Sequence, residues 1–428
     1  MQYPSDMTAD TSGSRLIGLD FVRGVALLGI TFVNVTMFAS SFERMVQPAL
    51  PEGASWLAAA FHWFSTTFCA GKFYPLYSLL FGVGVAMMIE SAQRRNASAG
   101  WMLARRFAML ALMGVLHLLL IWYGDILLLY AMVGMAMIPL ARCSARTLAA
   151  VAGGCFIVGM FGTLIFVALT LMGGQDAPPK PDGAAPAAAG SLMEILRTYA
   201  PGDTGFDPRL GEFERRVFVE GPFGQAVGLR GFLYLFTLAF SLLIMVPQVA
   251  ACFCLGAALW KGGFFTGAMP GFERWAIGLG ALVALPAQLV VAWAMAKPEA
   301  PSLHAGAMLL VQVGGPVVSL LYLVVGLRVA ARFRDAAWVR SVAGLGSMGL
   351  TGYLGVSFLM SLLMQHWGLG LFGSVPMEWW WALVPGVWLV LLSASVVWLA
   401  RFRTGPLEWA WKSFTRLEML PLRRERPS

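Results

Sequence analysis

The sequence predicts an all-α, polytopic membrane protein of about ten transmembrane helices with both termini in the cytoplasm, and three observations carry that prediction. Of its 428 residues 58% are hydrophobic and only 12% charged, against 45–50% apolar and about 25% charged in an ordinary soluble domain. So few charges cannot build a soluble surface. The apolar surplus recurs along the chain in runs near the roughly 20 residues that a bilayer-spanning helix needs. Between these runs, basic residues gather in alternate short connections, the pattern left by retention of positive charge on the cytoplasmic side.

The runs fall at about 17–40, 73–92, 105–122, 125–141, 147–172, 231–258, 275–296, 304–327, 341–364 and 379–400. Residues 1–16 are polar, with Pro4, Asp6 and Asp10, and the first run is too long for a cleavable signal and lacks a small-residue cleavage site. It is read as a retained helix. The segment 55–70 is apolar but short and broken by Gly71-Lys72, which predicts an interfacial or re-entrant helix with its Trp and His tips at headgroup level.

An inside N-terminus puts Arg94, Arg95, Arg105, Arg106, Arg142, Arg146, Lys261, Arg274, Arg328, Arg332, Arg334 and Arg340 in the cytoplasm, together with a basic tail. The other side keeps Arg44, Lys72, Lys297 and a group within one long loop, and long loops translocate largely regardless of charge. That loop, 173–230, divides the chain into a five-helix half at 1–172 and a second at 231–428 with the tail. Its Pro/Ala/Gly opening is too poor in apolar residues to hold a fold. Further on, SLMEILRTY has helical spacing, and EFERRVFVEGPFGQAV reads as a short amphipathic helix on the outer face. No internal repeat relates the halves, which gives an inverted-repeat transporter no support.

The net charge of +8 reports topology rather than nucleic acid, because no basic stripe is interleaved with exposed aromatics. Of five cysteines, Cys155, Cys252 and Cys254 lie inside apolar runs and read as small hydrophobes. Neither a disulfide framework nor a metal-site spacing is visible.

Few polar residues remain to carry chemistry. Asp20 and Arg23 share the inner half of the first helix, where each charge costs about 2.5–3.5 kcal/mol to insert unless partnered. An anion clamp for phosphates of coenzyme A or a lipid headgroup and an i,i+3 bridge pinning the start of the helix account for them equally. His117 and Asp125 flank Trp122, Tyr123 and Gly124 in a tight outward-facing turn. A carboxylate orienting an imidazole makes a general base, and Asp125 also suits the N-cap of the following helix. Lys72, at the outer mouth of the second helix, suits an anionic acceptor or a lipid phosphate. His62, His304 and His366 map with His117 to the outer half. Asn34 needs a hydrogen-bond partner in lipid, which interhelical contact would supply. Glu408 is expected to cap or pair near the basic tail.

Three stretches carry a family resemblance: RLIGLDFVRGVALLGITFVNV; KFYPLYSLLFGVGVAMM with GVLHLLLIWYGDILLLYAMVG; and GSMGLTGYLGVSFLMSLLMQHWGLGLFG with GPLEWAWKSFT. Together they resemble the YeiB-like family, bacterial inner-membrane proteins carrying a domain of unknown function. Where that family has an Arg, an Asn and a Gln-Ser pair in the ninth helix, this chain has Ser347, Gly352 and Val356-Ser357. More loosely, Asp20, Arg23, Gly24 and Asn34 are similar to the start of transmembrane acyltransferases. That likeness implies acyl transfer from a cytoplasmic acyl-coenzyme A to an extracytoplasmic small-molecule, glycan or lipid acceptor, with no bound cofactor. His117 and Asp125 would then be catalytic, and Arg23, Asp20, Asn34, Lys72 and His62 would bind substrates. A small-molecule exporter and a non-enzymatic sensor using the long loop are the competing classes.

Overall fold

A computed structural model describes residues 6–46, 50, 53–94, 99–173, 210–297 and 301–424. The Pro/Ala/Gly stretch and SLMEILRTY of the long loop lie outside the described residues. The described chain is helical, and its elements follow the apolar runs. They are α1 (Asp6–Ala39), α2 (Trp56–Phe64), α3 (Phe73–Arg94), α4 (Ala99–Leu120), α5 (Leu127–Ala136), α6 (Ala145–Gly173), α7 (Phe223–Phe236) and α8 (Val246–Lys261). There follow α9 (Pro270–Leu279), α10 (Leu285–Met295), α11 (Pro301–Arg332), α12 (Ala337–Ser347), α13 (Gly349–Met364), α14 (Trp380–Leu399) and α15 (Pro406–Arg416). This is a multi-pass membrane protein whose natural surroundings are a lipid bilayer.

The sequence implies about ten spans. Among the described residues eight helices are long and apolar enough to cross, or nine if α12 and α13, bent by 88° at Met348, make one span. The run at 125–141 yields the 10-residue α5, and the reason is local. After α4 the chain turns back into the bundle through Ile121–Ile126 before helix resumes, so a turn replaces the first part of a span. A Cβ on Gly114 would come within 2.5 Å of the Leu128 nitrogen and 2.9 Å of Asp125 Oδ1. Glycine there lets the turn pack directly on α4.

The segment 55–70 is not set apart from the second span. Helix α2 and the π-helical turn Ser65–Cys69 belong with α3 to one apolar stretch, Trp56–Arg94. Phe61, His62, Thr67 and Cys69 are buried. Phe61 and Phe64 pack on Phe32 of α1, with ring centroids 5.7 and 5.0 Å apart. The interruption is at Gly71, whose φ of 75° is open to glycine at little cost, and a Cβ on Gly315 of α11 would clash with its carbonyl oxygen. After the long loop, helix resumes at α7, ahead of the expected 231. Before it, Leu210–Arg215 and the turn Arg216–Glu220 bury Leu210, Phe213, Glu214, Val217 and Phe218, leave Glu212 exposed and keep Arg215 and Arg216 half-buried. These two turns have the amphipathic pattern the sequence implies.

The centre of the bundle is α1 against α3, α11, α12 and α13, with α8 against α3 and α6. Small residues set these crossings. A Cβ on Gly24 would strike the Val342 carbonyl, and one on Gly346 the Asp20 carbonyl, so α1 and α12 meet backbone to backbone. Gly82 and Gly256 do the same between α3 and α8.

Candidate functional site

The candidate site is built around the turn Ile121–Ile126 and the end of α4. His117 Nδ1 lies 2.8 Å from Asp125 Oδ2, and the side chains are 1% and 0% exposed. Because a carboxylate only accepts, Nδ1 carries the proton, and in the neutral imidazole Nε2 presents a lone pair. Asp125 Oδ1 accepts from the Leu128 N–H at 2.8 Å. One oxygen therefore caps α5 while the other meets the imidazole, so the two contacts coexist on one carboxylate. The pair is not on an outward-facing rim as the sequence suggested, since Trp122 and Tyr123 are buried with it.

The turn is clamped from three sides. From α13, Tyr353 Oη accepts from the Ile126 N–H at 3.3 Å with its ring centroid 5.3 Å from His117, while Ser361 Oγ and Gln365 Nε2 each donate to the Ile121 carbonyl at 3.2 Å. From α1, Phe38 stacks on Trp122 at 4.2 Å. From α7, Arg230 Nη1 donates to the carbonyls of Leu119 and Leu120 at 3.0 and 3.2 Å, and Nη2 to Gln365 Oε1. Arg230 is fully buried, and its charge is spread over the end of α4, where a helix presents unsatisfied carbonyls and negative potential. Placed at the end of the long loop, Arg230 reads in sequence as a loop charge. Its position eight residues inside an apolar helix that starts at Phe223 was the missed signal.

His117 Nε2, Trp122 Nε1 and Tyr123 Oη are buried and have no hydrogen-bond partner among the described residues. Burial, reinforced by the Glu214 carboxylate, holds the Tyr123 hydroxyl well above the usual range, so it stays a donor. An unpaired imidazole nitrogen at the end of α4 thus lies beside two unpaired groups of the turn, Trp122 and Tyr123, and buried polar groups are normally paired.

The other expected site residues are dispersed. Lys72 is not at an outer mouth: it is fully buried at the break between the π-helical turn and α3, where Nζ donates to the Thr66 carbonyl at 2.6 Å. It ends that turn as a C-terminal cap and makes no described contact with the dyad. His62 Nε2 lies 3.3 Å from the Ala292 carbonyl and ties α2 to α10. Asn34 is half-buried, one turn before Phe38 on the same face of α1, with no described hydrogen bond. Asp20 and Arg23 form the i,i+3 pair at 2.8 Å, each 26% exposed, at the end of the bundle opposite the dyad turn. Glu408 does not pair with the tail. It accepts from the N–H groups of Leu350 and Thr351 at 2.6 and 2.9 Å and from Thr351 Oγ1, capping α13 at the bend.

Two surface cavities lie away from all these groups. The larger, about 440 Å³, is an apolar groove between α4 and α5 lined by Phe107, Ala111, Ala131, Met132, Met135 and Ala136. The smaller is lined by Val85, Ala86, Ile89 and neighbours near Lys261. The dyad is closed in this conformation.

The family profile described as "Protein of unknown function (DUF418)" matches residues 259–418. The chain is 29% identical to the uncharacterized protein YeiB of Escherichia coli K12, over 94% of this chain and 96% of that one. It is 25% identical to the uncharacterized protein YxaH of Bacillus subtilis 168, over 98% and 99%. An uncharacterized 39.9 kDa protein from the amylase 3′ region of Bacillus acidopullulyticus is 32% identical over 37% of this chain and 43% of its own length. No solved structure matches. The profile across the C-terminal spans and the tail, joined to near full-length similarity to two bacterial relatives, supports assignment of the chain to a YeiB-like family.

Proposed function

We propose that the protein is a bacterial inner-membrane acyltransferase that moves an acyl group from a cytoplasmic acyl-coenzyme A to an acceptor hydroxyl or amine reaching it from the outer side. The supporting observation is the buried His117–Asp125 pair with Nε2 free. In the proposed step Nε2 takes the acceptor proton as the acceptor attacks the thioester carbonyl. The carbon–sulfur bond breaks, and the thiolate leaves with that proton. Asp125 stabilises the imidazolium in between. The distance to be bridged is short. Arg106, at the inner end, and Gly114, on which the dyad turn packs, are eight residues apart on α4, a rise of roughly 12 Å.

His117→Ala should lower thiol release from acyl-coenzyme A by about 10²–10⁴-fold, the usual worth of a general base, while the protein still inserts and purifies as a single species. Unchanged release would remove His117 from the mechanism. The 88° break at Met348 favours a second reading, since transporters build sites on discontinuous helices. Against it, the positive end of α13 is already occupied by Glu408. In proteoliposomes the enzyme reading expects acyl-coenzyme A consumption without net solute flux.

A further inference from the structure

At the inner end of the bundle, cations from three elements converge. Arg23 of α1 spends one nitrogen on Asp20, and its Nη2 lies beside Gly84 of α3, where an added Cβ would approach it to 3.4 Å. Arg106 of α4 lies with its guanidinium 3.4 Å over the Trp411 ring of α15. Its Nε is buried and has no hydrogen-bond partner among the described residues. Lys412, the next residue of α15, donates to Thr404 Oγ1 at 3.1 Å. Arg106 is within Coulombic reach of Arg23, and Lys412 of Asp20 and Arg106. The Tyr77 hydroxyl, against Gly349 at the bend, is within Coulombic reach of Arg23, Glu408 and Asp20.

The local carboxylates do not balance this set. Asp20 answers Arg23, and Glu408 is committed to the amides of α13. Arg23, Tyr77 and Arg106 are neither exposed nor fully buried, so part of each side chain stays accessible. Partial burial holds the Lys412 ammonium below the usual lysine range, with Glu408 opposing that shift and Arg106 adding to it. An ammonium so placed gains from an added anion.

We propose that Arg23, Arg106 and Lys412, with the Tyr77 hydroxyl, form a binding site for a phosphate group opening at the cytoplasmic end. Two guanidinium forks and one ammonium match the charge and the several acceptor oxygens of a phosphate. Trp411 holds the Arg106 plane in register for it. Being carried on α15, Lys412 and Trp411 make the C-terminal helix part of the site. The inference deepens the donor side of the acyl-transfer reading but does not need turnover, so the two fail separately.

The test is binding of inorganic pyrophosphate, by calorimetry, to the full chain in nanodiscs of neutral phosphatidylcholine. A parallel arm replaces a tenth of the lipid with phosphatidic acid and counts retained lipid by native mass spectrometry. The expected result is one saturable site in at least one arm, weakened tenfold or more in Arg106→Gln and about threefold in the exposed Lys412→Gln. His117→Ala should bind as the parent does. Binding in the pyrophosphate arm assigns a soluble phosphate, and binding in the lipid arm alone assigns a headgroup; both support the site. Absence from both arms, or affinities unchanged in both variants, overturns it. Lys412→Gln keeps the test decisive should Arg106→Gln lose the α15 contact and misfold.

Discussion

Asp125 does two jobs with two oxygens, and one substitution separates them. Asn is as good a helix cap as Asp, so Asp125→Asn should keep the bond to the Leu128 N–H and change stability by less than about 1 kcal/mol. Its amide can donate to His117 Nδ1, and the proton would then move to Nε2. The base would be silenced, and thiol release should fall by up to about 10⁴-fold, the effect of the analogous change in a Ser-His-Asp triad. A loss of stability with activity intact would make Asp125 a cap and nothing more. The sequence made this pair legible because both residues are rare in apolar surroundings and eight apart across a helix end. It did not show Arg230, Tyr353 or Gln365, whose roles depend on two other helices arriving at the same turn.

At the scale of elements, the bend at Met348 exposes the first N–H groups of α13, which a straight helix would have paired internally. Glu408 supplies their acceptor from α15. Glu408→Ala would leave one buried and one half-buried donor without this partner, at about 1–3 kcal/mol for the buried one, and should lower the thermal midpoint in detergent by several degrees. Glu408→Gln keeps one acceptor oxygen and should lose about half as much. Equal midpoints in all three proteins would show that water replaces the carboxylate freely. The GPLEW sequence gave no sign of this partner, because Glu408 and Leu350 are 58 residues apart. Gly24 is a similar case: the reason for a glycine beside Arg23 is the Val342 carbonyl on a helix more than three hundred residues away.

For the whole molecule, composition and apolar periodicity made the class and most helix positions readable, since each span must satisfy its own backbone hydrogen bonds whatever its neighbours do. What they could not convey was depth. Lys72 beside a glycine looks like the edge of the membrane, yet the chain continues through it, because the ammonium caps the carbonyl of Thr66. The Asp125 turn looks like an exposed loop, yet Gly114 lets it sink into the bundle. Orientation rests on the basic-residue bias and can be measured. In a cysteine-free background a membrane-impermeant maleimide should label Glu220→Cys in intact cells and Arg146→Cys only after permeabilisation, both sites being exposed. The reverse pattern would put the dyad on the cytoplasmic side.

The contacts of α13 have a mechanical consequence. Its first turn is gripped by Glu408 of the C-terminal helix, and Tyr353, Ser361 and, just beyond its end, Gln365 hold the dyad turn. Its neighbour α12 is fixed by backbone contact with α1 at Gly24 and Gly346. The 16-residue α13 is thus a lever with its fulcrum at Met348, and α15 grips it just beside that fulcrum. Any tilt that unseats α15 must also swing the arm that closes over His117, so the tail and the buried imidazole are joined by one rigid rod.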